Sequence, residues 1–442
     1  MQILPQVLFI IAFSTAAYFI SKRIFLIKRA IQLGKPLDRT DQPAKRFKTM
    51  LLVAFGQQKM FSRPAVAILH LVVYLGFIII NIEVIEIILD GILGTHRIML
   101  SPLGSLYPFL INTFELLALG VILACITFLI RRNITKVERF QESKHREMAK
   151  WPRLDANVIL VIEILLMSAF LKMNAADGIL QSRGVGYYGE TNTGNFVISQ
   201  FLQPFMVNFS DTFLIFAERA AWWFHILGIM AFALYVTYSK HLHIALAFPN
   251  TYFADLGSKG HISNMPTVTQ EVKIMLGLEQ APEVQAEVGR FGAKDVKDLT
   301  WKNLMDAYSC TECGRCTSAC PANLTGKALS PRKIIMDTRD RMEDIQKGWL
   351  TNGNDFEDGK SLLGDYISDE ELLGCTTCNA CVQECPILIN PLDIILQLRR
   401  YRVMEESQAP SSWNAMFQNL ETNMAPWKFS PDQRFDWANE LK

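Results

Sequence analysis

Long apolar runs crowd the chain before about residue 247, and mixed sequence follows. A bilayer core about 30 Å thick is crossed by roughly 20 mostly apolar helical residues. Five runs meet or approach that length, at 3–20, 64–89, 109–130, 156–176 and 220–244. The fourth is the weakest, because its clean apolar run is short and it carries Glu163 and Lys172. The buried helices of a soluble protein do not account for five such runs in the first half of a chain, so the pattern predicts a five-helix transmembrane bundle.

Basic residues set its orientation. Residues 22–63 contain eleven Lys or Arg and residues 131–153 contain eight, whereas Arg97 stands alone between the second and third runs. Loops rich in Lys and Arg stay in the cytoplasm. The N-terminus is therefore expected outside, and everything after the fifth run in the cytoplasm of a prokaryote, with the bundle in its inner membrane. No basic residue precedes the first apolar run, and Lys22 and Arg23 follow it, which predicts a retained helix and not a signal peptide.

The pattern divides the chain into a membrane domain (1–247), a polar connector (248–300), a helical domain (301–405) and a docking tail (406–442). Composition adds little to this. With half of the 442 residues hydrophobic and a formal net charge of +1, disorder is excluded and nothing points to nucleic acid. Cysteine placement adds much more. Eight of the nine cysteines fall in two windows, SCTECGRCTSACP (309–321) and GCTTCNACVQECP (374–386), so that C-x2-C-x2-C-x3-C-P occurs twice.

Three thiolates at that spacing wrap one iron-sulfur cluster, while the fourth, before proline, is directed to the other. Cys310, Cys313, Cys316 and Cys385 are expected on one 4Fe-4S cluster, and Cys375, Cys378, Cys381 and Cys320 on the second. Zinc is the competing occupant of paired C-x2-C motifs, but four cysteines per window exceed what it needs. A disulfide scaffold is disfavoured in a reducing cytoplasm. Between the windows the periodicity is helical. Ser330 before Pro331 reads as an N-cap, and Ser368 with Glu371 as a capping box leading into Cys375.

The segment CTECGRCTSACP with GKALSPRKIIMDTR resembles the two-cluster ferredoxin module found as the C subunit of heterodisulfide reductase. Similar modules occur in glycolate oxidase, anaerobic glycerol-3-phosphate dehydrogenase and the membrane quinone oxidoreductases serving electron transfer flavoprotein. In longer members a stretch like APWKFSPDQRFDWA (425–438) leads into a domain with paired CCG motifs, and this chain contains no Cys-Cys pair. The resemblance therefore implies a CCG-type or flavin-bearing redox subunit as a separate partner on the cytoplasmic side.

Haem iron takes neutral imidazole from helices packed around it. His225 and His243 are eighteen residues apart. On one helix that is five turns, about 27 Å, placing both on one face near opposite sides of the bilayer. His70 should lie at the depth of His243 and share its iron. His241 points elsewhere and reads as solvated or interfacial, and His145 and His261 read as surface. The helix pair resembles the cytochrome b gamma subunit of nitrate reductase and the E subunit of heterodisulfide reductase, in which the second histidine opens a segment like HIALAFPNTY (243–252). The nitrate reductase family has a further histidine where this chain has Ile80. One haem b is thus expected on His70 and His243, and a second, on His225, would need His96 from a folded-back loop.

Ionisable groups in hydrocarbon are costly and suggest function. Glu83, Glu86 and Glu115 fall in the outer halves of the second and third runs and are candidates for relaying protons from a quinol. The expected protein is all-α, with a five-helix cytochrome b-like bundle followed by a helical two-cluster ferredoxin domain. It is expected to be an electron-transfer subunit between membrane quinone, haem b and two 4Fe-4S clusters, not catalytic by itself. The alternative is a membrane anchor of a heterodisulfide-reductase-like complex without its own quinone site.

Overall fold

The computed structural model describes residues 3–280, 290–353 and 356–441. Five helices are long and apolar enough to cross a membrane: α1 (Ile3–Ile31), α2 (Pro64–Leu93), α3 (Leu106–Asn133), α4 (Trp151–Ser182) and α5 (Asp211–Val236). No strand forms among the described residues, only isolated bridges. Local chemistry sets the ends. Pro64 opens α2 where its missing N–H is harmless, and Gly94 closes it in the left-handed conformation. The Ser210 hydroxyl caps α5 by accepting from the Phe213 amide. The fourth run, despite its two charges, forms the longest of the five, α4, whose inner face packs between α3 and α5.

The fifth run ends earlier than its hydropathy predicts. α5 stops at Val236, a short 3-10 turn covers Lys240–Leu242, and a separate helix α6 spans His243–Tyr252. The cause lies across the bundle on α4. The buried carboxylate of Asp155 accepts hydrogen bonds from the Tyr235 hydroxyl, the Ser239 hydroxyl (2.7 Å) and the Lys240 amide (3.2 Å). A buried carboxylate needs such donors, and the turn supplies them where a continuous helix would not. His225 and His243 are therefore on different helices, and the expected five-turn relation between them does not hold.

The C-terminal part is helical as expected, with α7 (Trp301–Ser309), α8 (Arg315–Ser318), α9 (Pro331–Asn352), α10 (Ala380–Glu384), α11 (Pro391–Arg400) and α12 (Ser411–Asn423). Both capping signals are present: Ser330 accepts from the Lys333 amide, and Ser368 and Glu371 form a reciprocal box. The connector is described except for 281–289 and contains one exposed helix, Pro266–Met275.

The two halves share one continuous hydrophobic core, in which Phe9, Ile80 and Ile226 of the bundle are joined through packed neighbours to Leu304, Ile334 and Ile394. Polar contacts fix the joint. Arg23, two turns before the end of α1, pairs with Glu343 (2.6 Å) and donates to Gln346 (2.7 Å). The Trp301 indole donates to the Leu37 carbonyl (2.9 Å). Asn250 of α6 donates to the carbonyl of Ile387 (2.9 Å), just beyond Cys385. Arg46, Lys59 and Arg139 of the two basic segments also touch the chain just after α6 or the ferredoxin domain, so these segments and that domain share one end of the bundle.

Candidate redox centres and the groups that join them

The two cysteine loops have the same backbone. Glu312 and Gly314 in the first, and Thr377 and Asn379 in the second, adopt positive φ at equivalent positions. This curls each C-x2-C-x2-C segment so that its thiols face inward. In each loop an amide two residues on donates to the first sulfur, Glu312 to Cys310 Sγ and Thr377 to Cys375 Sγ, both at 3.4 Å. A Cβ on Gly314 would stand 2.6 Å from the tip of the buried Arg332 guanidinium, which would have to move to admit it.

Topology brings the predicted sets together across the repeat. A cavity is lined by Cys310, Cys313, Cys316 and Cys385, closed by Arg315, Arg332 and Pro386. Cys320 stands within electrostatic reach of Cys375 and Cys381, with Cys378 beside them. Among the described residues no group of three His, Cys, Asp or Glu side chains is gathered closely enough to hold a single metal ion. Burial pushes the thiols of Cys310, Cys381 and Cys385 up to about 12. At neutral pH such groups stay protonated unless a bound cation displaces the proton. Cys125 is buried in α3, apart from both sets.

The histidines are distributed differently from expectation. His70 and His243 lie within electrostatic reach of each other, on α2 and α6. The Nδ1–H of His70 donates to Gln57 Oε1 (3.0 Å), and that of His243 to the Lys240 carbonyl (3.0 Å). Each ring is thus held by its Nδ1, and Nε2 is the atom of each that could ligate a metal. His241 is half-buried at the turn after α5. Its ring packs against Phe232 (5.6 Å between centroids) and His243 (5.4 Å). His145 is also buried, under the loop that folds over Arg332.

His225 is wholly buried. Its Nδ1–H donates to the Leu166 carbonyl (2.9 Å), and its Nε2 has no hydrogen-bond partner. His96 does not fold back to it. His96 stands 3.5 Å from Asp177 and against the rings of Tyr187 and Tyr188. Leu166 and Asp177 are eleven residues apart on α4, about 16 Å along its axis, so the expected pairing of His96 with His225 fails on depth.

The outer carboxylates form a network around Arg97. Glu86 accepts from the Tyr107 hydroxyl (2.8 Å) and the Met99 amide (3.0 Å). Glu115 accepts from the Ile198 amide (2.7 Å), the Ser199 amide (3.1 Å) and Asn174 (3.1 Å). Glu83 differs, because both of its oxygens are buried without a hydrogen-bond partner, and Arg97 comes no closer than 4.0 Å. It lines a small cavity with Glu86, Asp90, His96, Glu218 and Trp222.

Sequence reasoning missed Gln57 and Lys240 behind the imidazoles, and Glu312 and Arg315 inside the first cysteine loop. The available signal was charge at two loop positions where the second loop has Thr377 and Ala380.

Comparison with known proteins agrees with this chemistry. Residues 309–389 match a 4Fe-4S dicluster domain family, and residues 275–325 match a second family of the same description. The chain is 27% identical to a probable iron-sulfur-binding oxidoreductase, FadF, of Bacillus subtilis (strain 168), over 98% of this chain and 60% of that protein. It is 24% identical to the EtfAB:quinone oxidoreductase of Syntrophomonas wolfei, over 91% of this chain and 55% of that protein. It is 35% identical over 24% of its length to 52% of the C subunit of a ferredoxin/F(420)H(2)-dependent CoB-CoM heterodisulfide reductase of Methanosarcina acetivorans. The chain thus spans little more than half the length of these relatives. No solved structure matches it. Five membrane-length helices among the described residues are thus joined to a 4Fe-4S dicluster domain, and the relatives spanning both parts are an iron-sulfur-binding oxidoreductase and a quinone oxidoreductase.

Proposed function

We propose that the chain relays electrons between a membrane quinone and a soluble redox partner, through one haem b and two 4Fe-4S clusters. The cysteines 310, 313, 316 and 385 hold one cluster, and 320, 375, 378 and 381 the other. His70 and His243 hold the haem. These groups supply one-electron chemistry, and the chain supplies their spacing and surroundings. The observation that carries the reading is that two imidazoles, each with Nδ1 anchored, sit on the same end of the bundle as the cavity lined by four cysteines.

Gln57 and the Lys240 carbonyl orient the two rings. The amides of Glu312 and Thr377 donate to cluster sulfurs and favour their negative charge. In the outer half of the bundle Glu83 has free oxygens to take a proton from a quinol, while Glu86 and Glu115 are occupied in holding the loops. Glu83 is thirteen residues from His70 on α2, about 20 Å in depth. His225, with its unpaired Nε2, stands between these levels and is the residue able to hold an intermediate centre. With the basic segments facing the cytoplasm, the ferredoxin domain meets its CCG-type or flavin-bearing partner there.

Purified membrane complex, with iron, sulfide and haem counted per chain, tests this. Two clusters require about eight iron and eight sulfide, together with a reduced b-type haem band. His243→Ala is expected to abolish that band while both cluster signals persist in paramagnetic resonance. A haem spectrum that survives the substitution would overturn the ligand assignment.

A further inference from the structure

The first cysteine loop carries two charges, Glu312 and Arg315, that are 4% and 3% exposed. Buried charges persist only when paired and hydrogen-bonded. Glu312 is paired with Lys240 and Arg339, and the backbone carbonyl of that same Lys240 accepts the Nδ1–H of His243. Arg315 donates to the Lys59 carbonyl (3.1 Å) and to Met60 Sδ (3.3 Å). Two residues before Lys59 stands Gln57, whose side chain receives the Nδ1–H of His70. Behind each imidazole, then, is a short tether to a charged side chain of one and the same loop.

The second loop lacks both tethers. Its equivalent positions are Thr377 and Ala380. The Thr377 hydroxyl turns back to the carbonyl of Thr376 (2.7 Å), and Cys378 is exposed. The two loops share a backbone but not an environment.

We propose that Lys240 with Glu312, and Gln57 with Arg315, are positioning residues that fix the cluster of Cys310, Cys313, Cys316 and Cys385 against the haem. This makes it the cluster that exchanges electrons with the membrane, and leaves the cluster of Cys320, Cys375, Cys378 and Cys381 to face the soluble partner. The inference rests on the haem assignment of the preceding section and adds the order of the relay. The step is a single electron passed from ferrous haem, which becomes ferric, to the oxidised cluster, which goes from 2+ to 1+. No bond forms or breaks and no proton moves. Transfer in the opposite direction uses the same contacts.

The test uses the full chain in its complex, in detergent, with Lys240→Met, Arg315→Met and Lys240→Arg variants. Haem absorbance and both cluster resonances are first shown to be at full occupancy. Clusters are then reduced by a light-activated deazaflavin, and haem reduction is followed in time. The Met variants are expected to slow it severalfold, because electron transfer falls off exponentially with the separation of the two centres. Lys240→Arg restores the rate. The haem midpoint potential shifts in Lys240→Met, and the resonance line shape changes for the first cluster and not the second.

Unchanged transfer with both Met variants fully loaded, or a change confined to the second cluster, would overturn the proposal alone. A second check is Cys378→Ser, made at an exposed position to remove the second cluster. Haem is expected to equilibrate with the remaining cluster, and loss of that exchange would equally overturn the order. Absence of haem from the unsubstituted protein would overturn the haem assignment and this order with it.

Discussion

Arg332 is wholly buried at the start of α9, beside the first cysteine loop, and its charge is met by Glu147 (2.9 Å) from the segment between α3 and α4. Burial alone would raise the Glu147 carboxyl, but Arg332 and the Ser330 hydroxyl hold it below its ordinary value of 4.5. A carboxyl lowered in the folded state contributes stability above its unfolded value and loses it as pH falls through the folded one. The segment 131–150 is therefore expected to loosen from α9 as pH drops below 4.5, read as faster amide exchange, and Glu147→Gln should flatten that response. Glu147→Ala leaves a buried guanidinium unpaired and should cost about 3 kcal/mol in denaturant unfolding of the ferredoxin domain. At this scale the cysteines were legible because ligand spacing within a loop is local. Gln57 and Lys240 were not, because their roles arise only when the domain seats on the bundle.

Between elements, close approach depends on small residues. A Cβ on Gly76 of α2 would lie 2.6 Å from Val121 Cγ2 of α3, and one on Gly120 of α3 would lie 2.9 Å from Val72 Cγ1 of α2. Small residues let membrane helices pack backbone to backbone. Gly76→Leu is expected to separate α2 from α3, to cost roughly 1–3 kcal/mol, and to displace His70, seen as a lowered thermal midpoint and a broadened haem band. Hydropathy marked all five membrane helices, since length and apolarity are properties of the run itself. It overran α5 because residues 237–244 are still partly apolar, while the carboxylate that captures the turn, Asp155, is 84 residues away from Ser239. The same limit hid the packing of His241 against Phe232 and His243, and made the pairing of His96 with His225 look attainable.

At the scale of the whole molecule, the two sets of thiols hold together segments 310–320 and 375–385 that are otherwise joined through α9 and its loops. Metal-ligand free energy acts as folding free energy where thiolates must be gathered. Stripping iron with a chelator under reducing conditions is expected to expose residues 301–405 to protease while leaving α1 to α5 protected in detergent, monitored by fragment mass. The order of domains and the helical class were legible from the run pattern and the cysteine windows. The shared core was not, since it depends on which faces of the two patterned regions meet across the connector. In the folded chain it is a seam: Phe9 of α1 and Ile394 of α11 belong to one packed interior. Electron carriers on swinging tethers slow down when the solvent is thickened, whereas centres mounted in a single rigid body do not. Sucrose or glycerol should accordingly leave the proposed haem-to-cluster rate unaltered, and any viscosity dependence of overall turnover then belongs to the arrival and departure of partners.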